Sequence, residues 1–297
     1  MSIVDAIAKV KRMKTAAAAA ELRQQPVASP QPAVVSKQPA SARTAMQDPV
    51  VAAPSRTDVP EPFEVPRLDA DILQCTANRI LVPGVEMRLG QVGSPSFRIL
   101  RTRLLQQCRT NHWNSIAVTS AGPGEGKTVT SLNLAINVAN AGNHDVFLLD
   151  LDMRNPSICR YLGVTPPTDI VDYFKGEEDV KDVLFRISTD NLFLAGSTST
   201  ASNASELLAT DRLRGLMDYI FRVSSRPLII MDLPPIVNTD DALVVAPRVD
   251  ASLLVVSEGV TRRDNLERAL GLLSEFPVAG IVLNQCLESL GADYYGA

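Results

Sequence analysis

The stretch that decides the fold is SIAVTSAGPGEGKTVTSLNLAINVA, residues 115–139. Its first six residues are apolar enough for a buried strand, its middle is a glycine-rich turn, and its end has the periodicity of an amphipathic helix. The turn, Ala121-Gly122-Pro123-Gly124-Glu125-Gly126-Lys127-Thr128, fits the phosphate-loop pattern with Ala in place of the first Gly. Gly122, Gly124 and Gly126 let backbone N–H groups, that of Glu125 included, curl around a phosphate chain, and the start of the helix adds positive dipole. Lys127 is placed to bridge the β- and γ-phosphates, and the Thr128 hydroxyl to ligate Mg²⁺. The ligand implied is a nucleoside triphosphate, ATP with Mg²⁺.

Working outward, apolar runs of strand length recur at 145–152 (DVFLLDLD), 191–196, 227–233 (PLIIMDL), 251–257 and 279–284. Helical patterns lie between them, at 96–110, 127–141, 205–223, 240–248 and 263–275. Several strands are apolar throughout, as parallel strands covered on both faces must be. The expectation is an α/β domain with a doubly wound, mostly parallel sheet and helices on both faces, a P-loop NTPase.

Two strand ends carry acids. The run at 145–152 ends in Asp150 and Asp152, which alternation along a strand would point to one side, followed by Arg154. The run at 227–233 brings Asp232 to the residues just before Pro234-Pro235, as a Walker B aspartate that binds Mg²⁺ directly or through water. In an open α/β sheet ligands sit at the carboxyl ends of strands, so three carboxylates there form one metal–phosphate site. Each alone would also serve as a helix cap or turn former. Arg154 suits either a phosphate or a nearby carboxylate.

The rest of the chain bounds the function. A net charge of −4 argues against nucleic-acid binding by bulk electrostatics. The four cysteines, Cys75, Cys108, Cys159 and Cys286, have no CxxC spacing, which fits a reducing compartment and no zinc site. No apolar run reaches the ~18 residues of a membrane span. Residues 1–14 form a short amphipathic segment, with Ile3, Val4, Ile7, Val10 and Met13 at helical spacing among four basic residues. It suits either an anionic membrane or partner surface, or a frayed terminus. Residues 15–66 hold nine of the chain's 20 prolines and no glycine, a linker composition. The expected location is cytoplasmic, or peripheral at the inner face of the cytoplasmic membrane, and the remaining domain spans 67–297. Tyr161, Tyr173 and Tyr219 read as core or interface and Trp113 as packing; His112 and His144 carry no ligand spacing.

With these motifs in view the chain resembles the bacterial tyrosine kinases of exopolysaccharide and capsule biosynthesis, in their separate cytoplasmic form. TSAGPGEGKT with SLNLA (131–135) looks like the family's Walker A, FLLDLDMRNP (147–156) its Walker A′, and IIMDLPP (229–235) its Walker B. DYFKGE (172–177), NASELLATDRL (203–213), DDALVVAPRVDASLLVV (240–256) and GIVLN (280–284) fall in the family's order. The resemblance implies ATP-dependent autophosphorylation on tyrosine, control of polysaccharide polymerisation and export, homo-oligomers, and a membrane chain-length (co-polymerase) partner. It implies Asp150 as acceptor of the tyrosine proton, Asp152 as a metal ligand, and Asn284 as an adenine contact, although an asparagine there also suits a turn. Tyr294 and Tyr295 would be the tail autophosphorylation sites.

Septum-positioning and plasmid-partition ATPases share the fold, but carry a second lysine where this chain has Gly122. Two departures from the kinase pattern stand out. The Glu-x-x-Arg-x-x-Arg of the helix before the loop has Pro95 at the glutamate position, with Arg98 and Arg101 kept, and Leu233 replaces the family's usual Walker B threonine. The alternatives to a kinase are an ATP-switched assembly or positioning protein, or a non-catalytic regulator of the same pathway.

Overall fold

The computed structural model describes residues 65–68, 95–187 and 190–286. The amphipathic segment 1–14, nearly all of the linker 15–66, Cys75, Tyr294 and Tyr295 lie outside them.

One eight-stranded sheet organises the described residues. Its strands are β1 (Arg67–Leu68), β2 (Ser115–Ser120), β3 (Asp145–Asp150), β4 (Phe185–Ile187), β5 (Leu192–Ala195), β6 (Pro227–Asp232), β7 (Ala251–Ser257) and β8 (Val278–Asn284), in the spatial order β1-β4-β5-β3-β6-β2-β7-β8. Every pairing is parallel except β4 with β5. The helices are α1 (Pro95–Asn111), α2 (Lys127–Ala139), α3 (Ile158–Leu162), α4 (Ile170–Lys175), α5 (Ala204–Ala209), α6 (Arg212–Val223), α7 (Asp241–Val245) and α8 (Arg263–Leu272).

β2 and β7 are buried at every position, which is why their sequences lack the polar alternation of a half-exposed strand. One face of the sheet, through Ile116, Val118, Leu148 and Ile230, joins a core with Leu104 and Leu105 of α1, Leu132, Leu134 and Val138 of α2, and Ile158 of α3. The alternate residues Ala117, Phe147, Leu149, Ile229 and Met231 are equally buried, and Phe147 stacks on Phe193 with ring centroids 4.8 Å apart. Both faces are covered, as the doubly wound expectation requires.

Three expectations about elements need correction. β3 ends at Asp150, so Asp152 sits in the loop beyond the strand rather than on its face. The helical pattern at 205–223 is two helices, because Thr210 is extended (ψ 167°) between α5 and α6. The pattern at 240–248 is α7 followed by one turn of 3₁₀ helix, Ala246–Arg248, with Pro247 inside it. β1, β4, α3 and α4 are additions.

Register then builds the site. Asp232 of β6 lies opposite Asp150 of β3 on one side and Val118 of β2 on the other. The carboxyl ends of the three central strands are therefore level, and the glycine-rich loop leaves β2 at that level.

Candidate functional site, a phosphate loop faced by three aspartates

Gly124 and Gly126 adopt left-handed φ values of 74° and 86°. That conformation is costly for any residue with a Cβ and turns the chain sharply into α2, whose first residue is Lys127. A Cβ on Gly126 would also run into Nδ2 of Asn284, whose side chain would have to give way. Glu125 is buried (2% exposed), and its Oε1 accepts a 2.6 Å hydrogen bond from the Thr261 hydroxyl. Its other oxygen has no partner among the described residues.

Lys127 points its ammonium into the acids, 2.6 Å from Oδ2 of Asp152 and 3.5 Å from Oδ2 of Asp232. Burial opposes that charge, but Asp232, Asp152 and more weakly Asp150 outweigh it and hold the lysine above its ordinary range. The Thr128 hydroxyl donates to Oδ2 of Asp232 at 2.6 Å, and Ser131 donates to Oδ1 at 3.0 Å. Burial still raises Asp232, although Lys127, Thr128 and Ser131 pull the other way.

Asp150 is fully buried. Its Oδ2 accepts the backbone N–H groups of Ser157 (3.0 Å) and Ile158 (2.9 Å), fixing the start of α3, and its Oδ1 has no partner among the described residues. Burial first, and the facing Asp232 second, push it up to about 7. That is a range in which a carboxylate is a useful proton acceptor near neutrality.

The structure brings together Lys127, Thr128, Asp150, Asp152 and Asp232. Arg154 takes the carboxylate side of its two readings. It donates to Asp241 through Nε (2.8 Å) and Nη2 (3.0 Å) and to the Ser202 carbonyl through Nη1 (2.7 Å). Beside it a groove of about 380 Å³ is lined by Arg154, Ile236, Thr239, Leu243, Arg268 and Leu272, among others. Asn284 uses Nδ2 on the Glu125 carbonyl at 3.0 Å. Tyr173 is buried and hydrogen-bonds the Arg212 carbonyl, while Tyr161 and Tyr219 are half-buried, as expected of packing residues.

The sequence reading missed Ser131, Ser157, Thr261 and Gln285. Ser131 was visible as the hydroxyl one helical turn after Lys127; the others are joined to the loop only by tertiary contact. Gln285 adopts φ 56° and donates from Nε2 to the Gly124 carbonyl at 3.1 Å.

The donor set, hard oxygens of Thr128, Asp152 and Asp232 beside a phosphate loop, fits Mg²⁺ rather than a softer metal. No group of three or more His, Cys, Asp or Glu among the described residues forms an all-protein metal cage. Magnesium typically completes its shell with waters and substrate phosphates, so a hydroxyl and one or two carboxylates suffice. No helix among the described residues is long and apolar enough to cross a membrane.

No family model matches the chain. It is 32% identical over 176 residues to the tyrosine-protein kinase CpsD of Streptococcus pneumoniae serotype 4, covering 57% of this chain and 75% of the relative. It is 26% identical over 205 residues to the tyrosine-protein kinase YwqD of Bacillus subtilis, covering 68% and 85%. Among solved structures, the kinase domain of the Escherichia coli tyrosine kinase ETK superposes with a TM-score of 0.61 at 25% identity, over 71% of this chain and 85% of that one. The cell division ATPase MinD of Pyrococcus furiosus shares the fold, with a TM-score of 0.51 at 21% identity over 60% and 74% of the two chains. The loop, the acids level with it and these relatives agree: the chain belongs to the bacterial tyrosine kinases, a family of P-loop nucleotide-binding enzymes.

Proposed function

We propose that the chain is an ATP- and Mg²⁺-dependent tyrosine autokinase that acts in exopolysaccharide or capsule assembly with a membrane chain-length protein. The observation that carries the catalytic reading is the convergence of Lys127, Thr128, Asp152 and Asp232 within hydrogen-bonding or ion-pairing reach of one another, with Asp150 alongside in register with Asp232.

Phosphoryl transfer asks the protein for positioning and charge neutralisation. Lys127 binds the β- and γ-phosphate oxygens in exchange for its carboxylate partners. Thr128 and Asp152 would hold Mg²⁺, and Asp232, gripped by Thr128 and Ser131, would ligate it or orient its water. The metal supplies positive charge to the phosphate oxygens. The tyrosine oxygen attacks the γ-phosphorus, the bond to the β–γ bridging oxygen breaks, ADP leaves, and the phenolic proton passes to Oδ1 of Asp150. Asn284 contacts the adenine with whatever hydrogen-bonding capacity the loop leaves it. Tyr294 and Tyr295 are the acceptors, supplied by a neighbouring copy. The groove beside Arg154 is a fitting approach for an acceptor segment, because it borders the loop that carries Asp152.

The chimerical protein CapA2B2, a fold-level neighbour with a TM-score of 0.62 at 21% identity, is by its name a fusion. That supports, for this chain, a protein partner, which the proposal takes to be of the chain-length type. The test is intact mass after incubation with Mg·ATP: phosphate gained on the 287–297 segment supports the autokinase. ATP hydrolysis without such a gain favours a nucleotide-switched assembly protein.

A further inference from the structure

The end of β8 is locked to the phosphate loop by a set of contacts that phosphoryl transfer leaves unused. Asn284 fixes its own backbone by accepting from the Glu258 N–H at 3.0 Å, and its side chain donates to the Glu125 carbonyl at 3.0 Å. Gln285, in the left-handed region, donates to the Gly124 carbonyl at 3.1 Å and accepts from the Ser257 hydroxyl. The Ser257 N–H donates to Oγ1 of Thr261 at 2.7 Å, and that hydroxyl in turn donates to the buried Glu125 carboxylate at 2.6 Å. Two consecutive carbonyls of the loop are thus each held by a side-chain amide, from residues about 160 positions away (|i−j| of 161 and 159).

A loop that binds phosphate must aim N–H groups at the anion and keep its carbonyls turned away from it. A free backbone with two left-handed glycines can satisfy neither condition alone, since glycine leaves many conformations open. The Asn284 amide also fills the space that a side chain on Gly126 would need, and it is half-buried rather than a free surface group.

We propose that Asn284 and Gln285 are positioning residues of the phosphate loop, holding the Gly124 and Glu125 carbonyls outward and so setting affinity for the phosphate chain independently of the base. This rests on the nucleotide reading of the loop, and it assigns Asn284 a role that an adenine contact does not supply.

The experiment uses the full chain and measures affinities for Mg·ATP, Mg·GTP and inorganic tripolyphosphate, by calorimetry and by thermal shift. Asn284→Ala and Gln285→Ala are compared with wild type. Each lost amide bond is expected to weaken tripolyphosphate and ATP together, by roughly three- to tenfold. For the exposed Gln285 the alanine variant should keep the ATP-to-GTP ratio within twofold of wild type and barely move the unliganded melting temperature. Gln285→Ala should raise KM for ATP while leaving kcat nearly unchanged. Unchanged tripolyphosphate affinity with a fall in the ATP-to-GTP ratio would show a base contact and overturn the proposal, as would no change in any ligand. If tripolyphosphate binds without preference for either nucleotide and the variants still weaken it, the proposal stands while the kinase reading fails; if wild type binds none of the three, both fail.

Discussion

Thr128 and Ser131, one helical turn apart on α2, each donate a hydroxyl proton to a different oxygen of Asp232, at 2.6 and 3.0 Å. This pair of bonds ties the start of the helix to the end of β6, so the phosphate loop cannot shift without disturbing the acid beneath it.

Lys127→Met should abolish ATP turnover, and the loss of its charge should also remove thermal stabilisation by Mg·ATP. It leaves Asp152 and Asp232 buried together without their cation. Asp232, already raised, then rises further. A carboxylate raised on folding contributes stability below its unfolded value and loses it as pH climbs through the folded one. The variant should therefore melt close to wild type near pH 5 and several degrees below it near pH 8, read by thermal scans across that range.

Asp150→Asn and Asp152→Asn should fail in different ways. The first removes the proposed proton acceptor, so kcat should fall at least a hundredfold with the Mg²⁺ requirement unchanged. The second removes a proposed metal ligand, so the Mg²⁺ concentration for half-maximal activity should rise. Asp150→Asn should also be the more stable protein at neutral pH. The Asp150 carboxyl is raised from 3.8 to about 7, so in wild type it withdraws stability as pH rises between those values, and the amide does not. Denaturant midpoints from pH 4 to 8 check this; parallel curves would refute it.

Gly126→Ala meets two obstacles, a φ of 86° and the Asn284 amide, which would have to give way to the new methyl. The left-handed backbone alone costs about 1–2 kcal/mol. Nucleotide affinity should be lost in Gly126→Ala, and Gly126→Ala/Asn284→Gly should recover the steric part of the stability loss without restoring the backbone part. Melting temperatures of the two variants separate the contributions.

Phosphate transfer to Tyr294 or Tyr295 should occur between copies. β8 runs parallel to β2, so the chain leaves it at the same sheet edge as the phosphate loop, where a bound nucleotide crowds in-line approach by its own tail. Mixing a Lys127→Met chain with a Tyr294→Phe/Tyr295→Phe chain should place tail phosphate on the Lys127→Met partner, at a rate that rises with concentration. A concentration-independent rate in wild type with a blank mixture would show transfer within one chain.

Where the sequence was informative, the physical reason is local. β2 and β7 were bounded to the residue because each has an apolar centre, 116–118 and 253–256, edged by small polar residues next to turn chemistry. The phosphate loop was legible because glycine, lysine and threonine at fixed spacing serve one anion. β4 was missed because Phe185-Arg186-Ile187 is too short and carries a charge, and only the fold shows Arg186 lying 5.3 Å over the ring of Phe193. Asp152 was placed on a strand because alternation continues past the last ladder bond, which composition does not mark. The clasp of Glu125, Thr261, Asn284 and Gln285 had no local signal, since each residue alone is an ordinary loop or strand-end residue.

The strand order has a mechanical consequence. β1 borders the sheet on one side and β8 on the other, so the described fold passes to the rest of the chain at opposite margins, seven strand spacings or about 34 Å apart. Tension applied ahead of residue 65 would load the short β1–β4 seam, held by two paired positions and the Arg186 N–H to Pro66 carbonyl bond, and leave the β7–β8 seam beside the phosphate loop slack.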